Sequence, residues 1–154
     1  MYFETTNSAL GPLTLFAEAD KIIALEFGSV AQDRPTPILR EAILQLKAYF
    51  IGQLTYFNLP IKTSGTNFQQ DVWDLILKIP YGTTLSYGEL AQNLNSAPRS
   101  IGGACGKNPI PIIVPCHRVL AANYKIGGFS GGYGISTKTS LLRLEGINIK
   151  FNKK

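Results

Sequence analysis

The chain has 154 residues, of which 45% are hydrophobic and 16% charged, and its formal net charge is +5. This length allows one good core or two small lobes, and the composition is that of an ordinary globular protein, which excludes a disordered or repetitive chain. The apolar stretches are too short to span a bilayer, so we expect no membrane-spanning segment.

Positive charge is concentrated in the second part of the chain. Residues 1–65 carry five Lys or Arg against six Asp or Glu, whereas residues 66–154 carry ten against four, a net charge of +6. A basic half is typical of a protein that binds a polyanion, because Lys and Arg contacts to phosphate release counterions. Mild basicity also occurs in proteins without such a partner, so charge alone leaves the partner open.

The first part of the chain predicts a small α/β lobe over residues 1–62. Residues 13–16 and 22–27 are rich in apolar and β-branched side chains, and we expect two strands joined by a polar turn. Thr36 is the expected cap of the following helix, and another short strand is expected near residues 56–61. The lobe contains neither histidine nor cysteine, so we expect it to be a scaffold.

A second, mostly helical domain is expected over residues 66–154. Two capping boxes, in which Thr or Ser is followed three residues later by Gln or Glu, predict helices that begin after Thr66 and Ser86. A further helical segment at 99–105 follows closely, and two short helices joined by a tight turn suggest a helix-turn-helix. A last helix is expected at 136–145.

Cys116 and His117, the only histidine, follow the apolar run 112–114 and Pro115. The run predicts a short strand that enters the core, and the proline ends it. Thiolate is the reactive form of cysteine, and an adjacent base is the usual way to form it at neutral pH. The alternative is a buried small side chain beside a core histidine. Cys105 could pair with Cys116 only by using up this nucleophile, so a reducing, cytoplasmic setting is expected.

Six blocks, in order and at matching spacing, carry a resemblance to a known family. They are FQQDVW (68–73), IPYGT (79–83), RSIGGA (99–104), NPIP (108–111), IVPCHRV (113–119) and LLRLEG (141–146). Together they resemble the O6-alkylguanine-DNA alkyltransferases (methylated-DNA–protein-cysteine methyltransferases). The match covers residues 66–147 well and the first 65 residues loosely.

The resemblance implies an α/β fold, in which a small N-terminal lobe, RNase H-like in the family, packs on a helical domain with a helix-turn-helix. It implies direct DNA repair: irreversible, single-turnover transfer of the alkyl group from O6-alkylguanine, with O4-methylthymine as an open second substrate. The expected partner is double-stranded DNA, from which the damaged base is flipped, and the protein is expected to be a monomer. No cofactor is implied, and the sequence lacks four Cys or His ligands for zinc.

The resemblance also assigns catalytic roles. Cys116 would accept the alkyl group, and His117 would act as base, through a water in the family. Glu145 would orient the imidazole, and Asn108 would brace the active-site loop. A carboxylate at a helix C-terminus faces the negative end of the helix dipole, and we expect a cationic His117 to compensate Glu145.

DNA contacts are expected from the helix-turn-helix. The resemblance implies that Arg99 fills the space of the extruded nucleotide and that Tyr87 helps to turn it out and hydrogen-bonds the guanine. Small residues on the second helix allow close approach to a DNA backbone with little base readout. Arg118 is expected to be structural or to contact phosphate. The expected DNA-binding residues are Arg99, Tyr87, Ser100, Gly102, Gly103 and Arg118.

The glycine-rich stretch 127–134 resembles the family's pocket loop, in which an aromatic side chain walls the base; its plain reading is a flexible turn. Since the chain from Phe129 to Glu145 is longer than in many members, either Phe129 or Tyr133 could take that position. The expected base-pocket residues are Tyr87, Val119, Phe129, Ser130 and Gly131.

The sequence argues against three other functions. A non-enzymatic lesion binder, like the related alkyltransferase-like proteins, would lack the cysteine, and Cys116 argues against it. A helix-turn-helix regulator would need a helix that reads bases. A cysteine hydrolase would need an intermediate that water can attack, whereas a thioether is inert.

Overall fold

The computed structural model describes residues 1–129 and 131–149 and divides into two compact units, Met1–Ser64 and Gly65–Lys154. In these described ranges no helix has the length and hydropathy needed to cross a membrane.

The first unit is a three-stranded antiparallel sheet covered by one helix. The sheet has the order β1 (Tyr2–Thr6), β2 (Leu13–Glu18) and β3 (Lys21–Phe27), and α1 (Pro37–Phe50) packs against it. Alternate residues of β2 face inward because successive side chains of a strand point to opposite faces. The core residues contributed by β2 and α1 include Leu13, Leu15, Ala17, Leu39, Ala42 and Leu46. Both predicted strands and the Thr36-capped helix are confirmed.

Two features of this unit differ from the sequence prediction. β1 was not predicted, because its only buried residue is Thr6 and no alternation of apolar side chains marks it. The strand expected at 56–61 is wrong: only Ile61 forms an isolated bridge, to Ile22. The backbone of Asn58 instead pairs with the Gln45 side chain of α1, which accepts from its N–H at 2.9 Å and donates to its carbonyl at 3.1 Å.

The second unit is mostly helical. Its elements are α2 (Asn67–Leu77), β4 (Leu85–Ser86), α3 (Tyr87–Asn93), α4 (Pro98–Gly106), β5 (Val119–Leu120) and α5 (Ile135–Leu144). Both capping boxes are formed, at the starts of α2 and α3. Helices α3 and α4 pack together as the predicted helix-turn-helix, and the Trp73 indole N–H donates to the Ala104 carbonyl at 2.9 Å, which fixes α4 on α2.

The strand predicted at residues 112–114 is wrong, although all three side chains are buried as expected. The segment is a turn, in which Ile112 has φ +74° and the Val114 N–H donates to the Ile110 carbonyl at 2.8 Å. A β-branched residue rarely adopts this left-handed conformation, so the surrounding contacts must hold it there. The turn leads directly into a 3₁₀ turn at Cys116–Arg118.

The short parallel pairing of β4 with β5 positions the pocket. Leu85 lies opposite Val119 and Ser86 opposite Leu120. Tyr87, the first residue of α3, therefore starts beside the segment that follows Cys116.

Candidate active site

Cys116, His117 and Glu145 are brought together inside the second unit, and all three are buried. His117 Nε2 lies 2.7 Å from Glu145 Oε2. An ionised carboxylate can only accept, so Nε2 carries the proton of the neutral ring and Nδ1 is left as an acceptor. Nδ1 is buried and has no hydrogen-bond partner within residues 1–129 and 131–149. His117 can therefore take up a proton at Nδ1.

Arg118 is the second partner of Glu145. Its Nε donates to Oε1 at 2.8 Å and its Nη2 to Oε2 at 3.0 Å, while Nη1 donates to the Ile79 carbonyl at 2.7 Å. This geometry supports the structural role expected for Arg118. The alternative, a phosphate contact, does not fit a buried guanidinium whose three nitrogens are all engaged.

His117 is neutral at rest, and the expectation of a cationic His117 is therefore wrong. Burial lowers the pKa of His117, and the hydrogen bond and charge of Glu145 oppose this, while the charge of Arg118 lowers it further. Glu145 is compensated by Arg118 instead. A neutral imidazole is the form that a general base requires.

Cys116 is a protonated thiol in the resting protein. Burial raises the pKa of Cys116, while a hydrogen bond from Asn108 and the charge of Lys138 lower it. Asn108 also donates to the Val114 carbonyl at 2.8 Å and accepts from the Ile110 N–H at 2.9 Å. Asn108 thus holds both the turn before Cys116 and the sulfur, which is the bracing position that the resemblance implied.

Lys138 of α5 belongs to this cluster, and the sequence analysis missed it. The side chain is fully buried, and Nζ donates to the Val119 carbonyl at 2.6 Å and the Gly128 carbonyl at 3.1 Å. Burial lowers the pKa of Lys138 to about 8, and the negative charge that Cys116 and Cys105 carry when ionised opposes this. The one available signal was spacing: Lys138 lies three and seven residues before Leu141 and Glu145, on the buried face of the helix.

Tyr87 forms the opposite side of the cluster. Its hydroxyl is 3.4 Å from Lys138 Nζ, and that nitrogen lies 5.6 Å from the ring centroid. Gly127 packs against it so closely that a Cβ there would lie 2.9 Å from Tyr87 Cε2. Burial raises the pKa of Tyr87 to about 12, so the phenol keeps its proton and can donate it in a hydrogen bond.

Four of the five expected base-pocket residues belong to the described part of the chain. Val119 is buried and already accepts from Lys138, and Gly131 is half-buried. Phe129 is half-buried whereas Tyr133 is 85% exposed, which favours Phe129 as the aromatic wall. Ser130 falls outside the described residues.

The outer face of α4 is exposed and carries several small side chains. Arg99, Ser100 and Gly103 are exposed, and Gly102 is half-buried near the Tyr87 ring. The exposed basic residues of the described part of this unit are Lys78, Arg99, Lys107, Lys125 and Arg143. Two further cations, Arg118 and Lys138, are buried in the site. The basic surface is therefore less charged than the residue count of this unit suggests.

Within the described ranges, no group of three or more His, Cys, Asp or Glu side chains could hold a metal ion. The chemistry that this arrangement offers is proton transfer from Cys116 to a neutral imidazole, followed by nucleophilic attack of sulfur.

Comparisons with known proteins agree with this geometry. Residues 67–147 match the model of the 6-O-methylguanine DNA methyltransferase DNA binding domain, and residues 1–63 match that family's ribonuclease-like domain. The methylated-DNA–protein-cysteine methyltransferase of Methanosarcina acetivorans is 40% identical over 156 residues, covering 95% of this chain and 99% of that protein. The constitutive enzyme of Bacillus subtilis is 37% identical over 162 residues, covering 97% and 98%.

A solved structure shows the same similarity. The crystal structure of Mycobacterium tuberculosis OGT in complex with DNA superposes with a TM-score of 0.85 at 44% identity, covering 94% of this chain and 92% of that one. The predicted fold and the resemblance are thereby confirmed. The chain belongs to the 6-O-methylguanine DNA methyltransferase family.

Proposed function

We propose that this protein repairs O6-alkylguanine in double-stranded DNA by moving the alkyl group irreversibly to Cys116, once per molecule. The observation that carries the proposal is the buried Cys116 beside a neutral His117, whose Nε2 is held by Glu145 and whose Nδ1 has no hydrogen-bond partner among the described residues. This arrangement occurs in a chain whose relatives are named methylated-DNA–protein-cysteine methyltransferases.

The proposed chemistry is a displacement at the alkyl carbon. His117 Nδ1 takes the Cys116 proton, through a water as the resemblance implies, and Glu145 stabilises the imidazolium that forms. The thiolate sulfur attacks the carbon, an S–C bond forms, and the C–O bond breaks with its electron pair going to the guanine O6. The base returns to guanine on taking up a proton, so the proton lost by Cys116 balances the one gained. Because a thioether does not hydrolyse, the cysteine is not regenerated.

The DNA side of the proposal rests on α3 and α4. Tyr87 donates its hydroxyl hydrogen to the departing base, and exposed Arg99 fills the gap left by the flipped nucleotide. The small outer face of α4 approaches the backbone without reading sequence. Residues 1–62 would serve as scaffold and 66–154 as the DNA-binding and acceptor domain. All proposed catalytic side chains come from one unit of one chain, which supports a monomer, and two free cysteines suit the reducing cytoplasm.

Intact-mass measurement tests the proposal. After mixing with duplex DNA that contains O6-methylguanine, the protein should gain about 14 Da, the difference of a methyl for a hydrogen on the nucleophile, at one methyl per chain. Peptide mapping should place the gain on Cys116. The Cys116→Ala variant should gain nothing, whereas Cys105→Ala should react. Repeated turnover without added thiol, or alkylation of another residue, would overturn the proposal.

A further inference from the structure

Lys138 is a fully buried lysine that the transfer reaction, as proposed above, does not use. Its Nζ has three hydrogen-bond partners: the Val119 carbonyl at 2.6 Å, the Gly128 carbonyl at 3.1 Å and the Tyr87 hydroxyl at 3.4 Å. An ammonium group has three hydrogens to donate and no lone pair to accept with. All three of its hydrogens are therefore accounted for by these partners.

The direction of the Lys138–Tyr87 hydrogen bond follows from the fact that an ammonium group can only donate. As long as Lys138 is protonated, it can only donate, so the Tyr87 oxygen accepts. The Gly128 backbone stabilises the charged form of Tyr87 and so lowers the pKa of its phenol, against the effect of burial. With the Lys138 ammonium donating to its oxygen, Tyr87 directs its hydroxyl hydrogen away from Lys138. In the proposed complex, the target base can accept this hydrogen.

We propose that Lys138 is a positioning residue for alkyl transfer, which directs the Tyr87 O–H toward the departing guanine by donating a hydrogen bond to the Tyr87 oxygen. The inference rests on the proposed function. As the C–O bond breaks, negative charge develops on the purine, and a donor already aimed at it is worth more in the transition state than in the ground state. A cation behind the phenol also makes that phenol a stronger donor.

The groups that face Lys138 come from three segments. Negative charge on Cys105 of α4 or on Cys116 of the 3₁₀ turn raises the pKa of Lys138, and Tyr87 of α3 lies at hydrogen-bond distance from it. The charge of Lys138 in turn lowers the pKa of His117. The pKa of Lys138 is lowered to about 8 by burial, so the ammonium form dominates below that pH. Above it, a neutral amine can accept from Tyr87, and the hydroxyl hydrogen then turns away from the base.

A double-mutant cycle tests this role. The variants are Lys138→Met, Tyr87→Phe and the double variant, in the full chain, and the readout is the single-turnover rate of Cys116 methylation by O6-methylguanine duplex DNA. Lys138→Met should slow transfer about ten- to hundredfold when Tyr87 is present, the range expected for a hydrogen bond to a charged group. With Tyr87→Phe the same change should have a much smaller effect. Equal losses in both backgrounds would show that Lys138 only supports the fold, and would overturn the inference.

A pH profile provides a second readout that does not require a lysine variant. The quantity to follow is the transfer rate of the unchanged protein divided by that of Tyr87→Phe. The titration of Cys116 and any effect of pH on the DNA change both rates equally and therefore do not affect this ratio. This ratio should be constant below about pH 8 and fall above it, as Lys138 loses its proton. A ratio that stays flat through that range would overturn the inference. If the unchanged protein never acquires a methyl group on Cys116, the proposed function fails, and this inference fails with it.

Discussion

Arg118 and Glu145 form a buried ion pair held at two points, with Nε 2.8 Å from Oε1 and Nη2 3.0 Å from Oε2. The same Oε2 lies 2.7 Å from His117 Nε2, so one carboxylate serves both side chains. Glu145 is also the C-cap residue directly after α5, where the helix dipole disfavours a negative charge. The guanidinium therefore lets an ionised Glu145 exist at this helix end while His117 remains neutral.

Replacing Arg118 by Met should raise the pKa of His117, because the charge of Arg118 lowers it in the unchanged protein. His117 is the only histidine, so a single imidazole signal followed by NMR against pH gives the measurement directly. The free energy of unfolding should fall by about 3–5 kcal/mol, because Glu145 is left in the interior without its main counter-charge. Arg143→Met, at an exposed position of α5, is the control and should change neither quantity. An unchanged His117 titration in Arg118→Met would contradict this account.

His117 should also make the stability of the protein depend on pH. Burial lowers the pKa of the folded-state imidazole below the ordinary value of 6.5, so the unfolded chain binds the proton more readily. Stability associated with the neutral ring is then fully present above about pH 6.5 and is lost as pH falls through the lower, folded pKa. Urea unfolding from about pH 7 to about pH 5 should show a steeper loss in the unchanged protein than in His117→Gln. Identical slopes would mean that carboxylates alone cause the acid sensitivity.

Local signals in the sequence were enough to predict the helices. The capping boxes at Thr66 and Ser86 form as predicted, because each involves only residues three positions apart. The turn at Ile112 was not predictable in this way. Its apolar residues favour a strand, and the competing interactions come from the side chain of Asn108 and from the backbone around it.

In the candidate site, too, some residues can be predicted from the sequence and others cannot. Cys116, His117 and Glu145 could be named because the family blocks contain them. Lys138 lies in no block, and its partners include carbonyl oxygens of Val119 and Gly128, which belong to distant segments and carry no side-chain signature. The sequence does not decide the role of Arg118 for a related reason: it places Arg118 next to His117 but does not show the contact with Glu145.

Gly127 is predicted to be the residue that lets Tyr87 sit against the loop. It has φ +70°, and an added Cβ would lie 2.9 Å from Tyr87 Cε2 and 3.0 Å from the hydroxyl oxygen. Gly127→Ala should therefore lower the free energy of unfolding by about 1–3 kcal/mol and slow methyl transfer, because Tyr87 must move. Gly52→Ala is the matched control, since Gly52 has φ +78° but open space around it. It should show backbone strain and an unchanged transfer rate. Equal transfer rates in the two variants would show that Tyr87 does not depend on this contact.

Arg99 should matter for duplex DNA and not for the chemistry itself. It is exposed near the start of α4. Only the duplex reaction requires the hole in the base stack to be filled, at roughly a few kcal/mol. Arg99→Ala should therefore slow methylation of Cys116 by duplex O6-methylguanine about tenfold or more, while the slower reaction with the free base is nearly unchanged. The control is Arg143→Ala, which removes the same charge from an exposed site on α5. Both variants lose one positive charge, so in both the affinity for DNA should depend less steeply on salt concentration. Only Arg99→Ala should also slow transfer from the duplex. Equal losses with duplex and free base would place Arg99 in support of the pocket, and equal losses in the two arginine variants would reduce its role to charge.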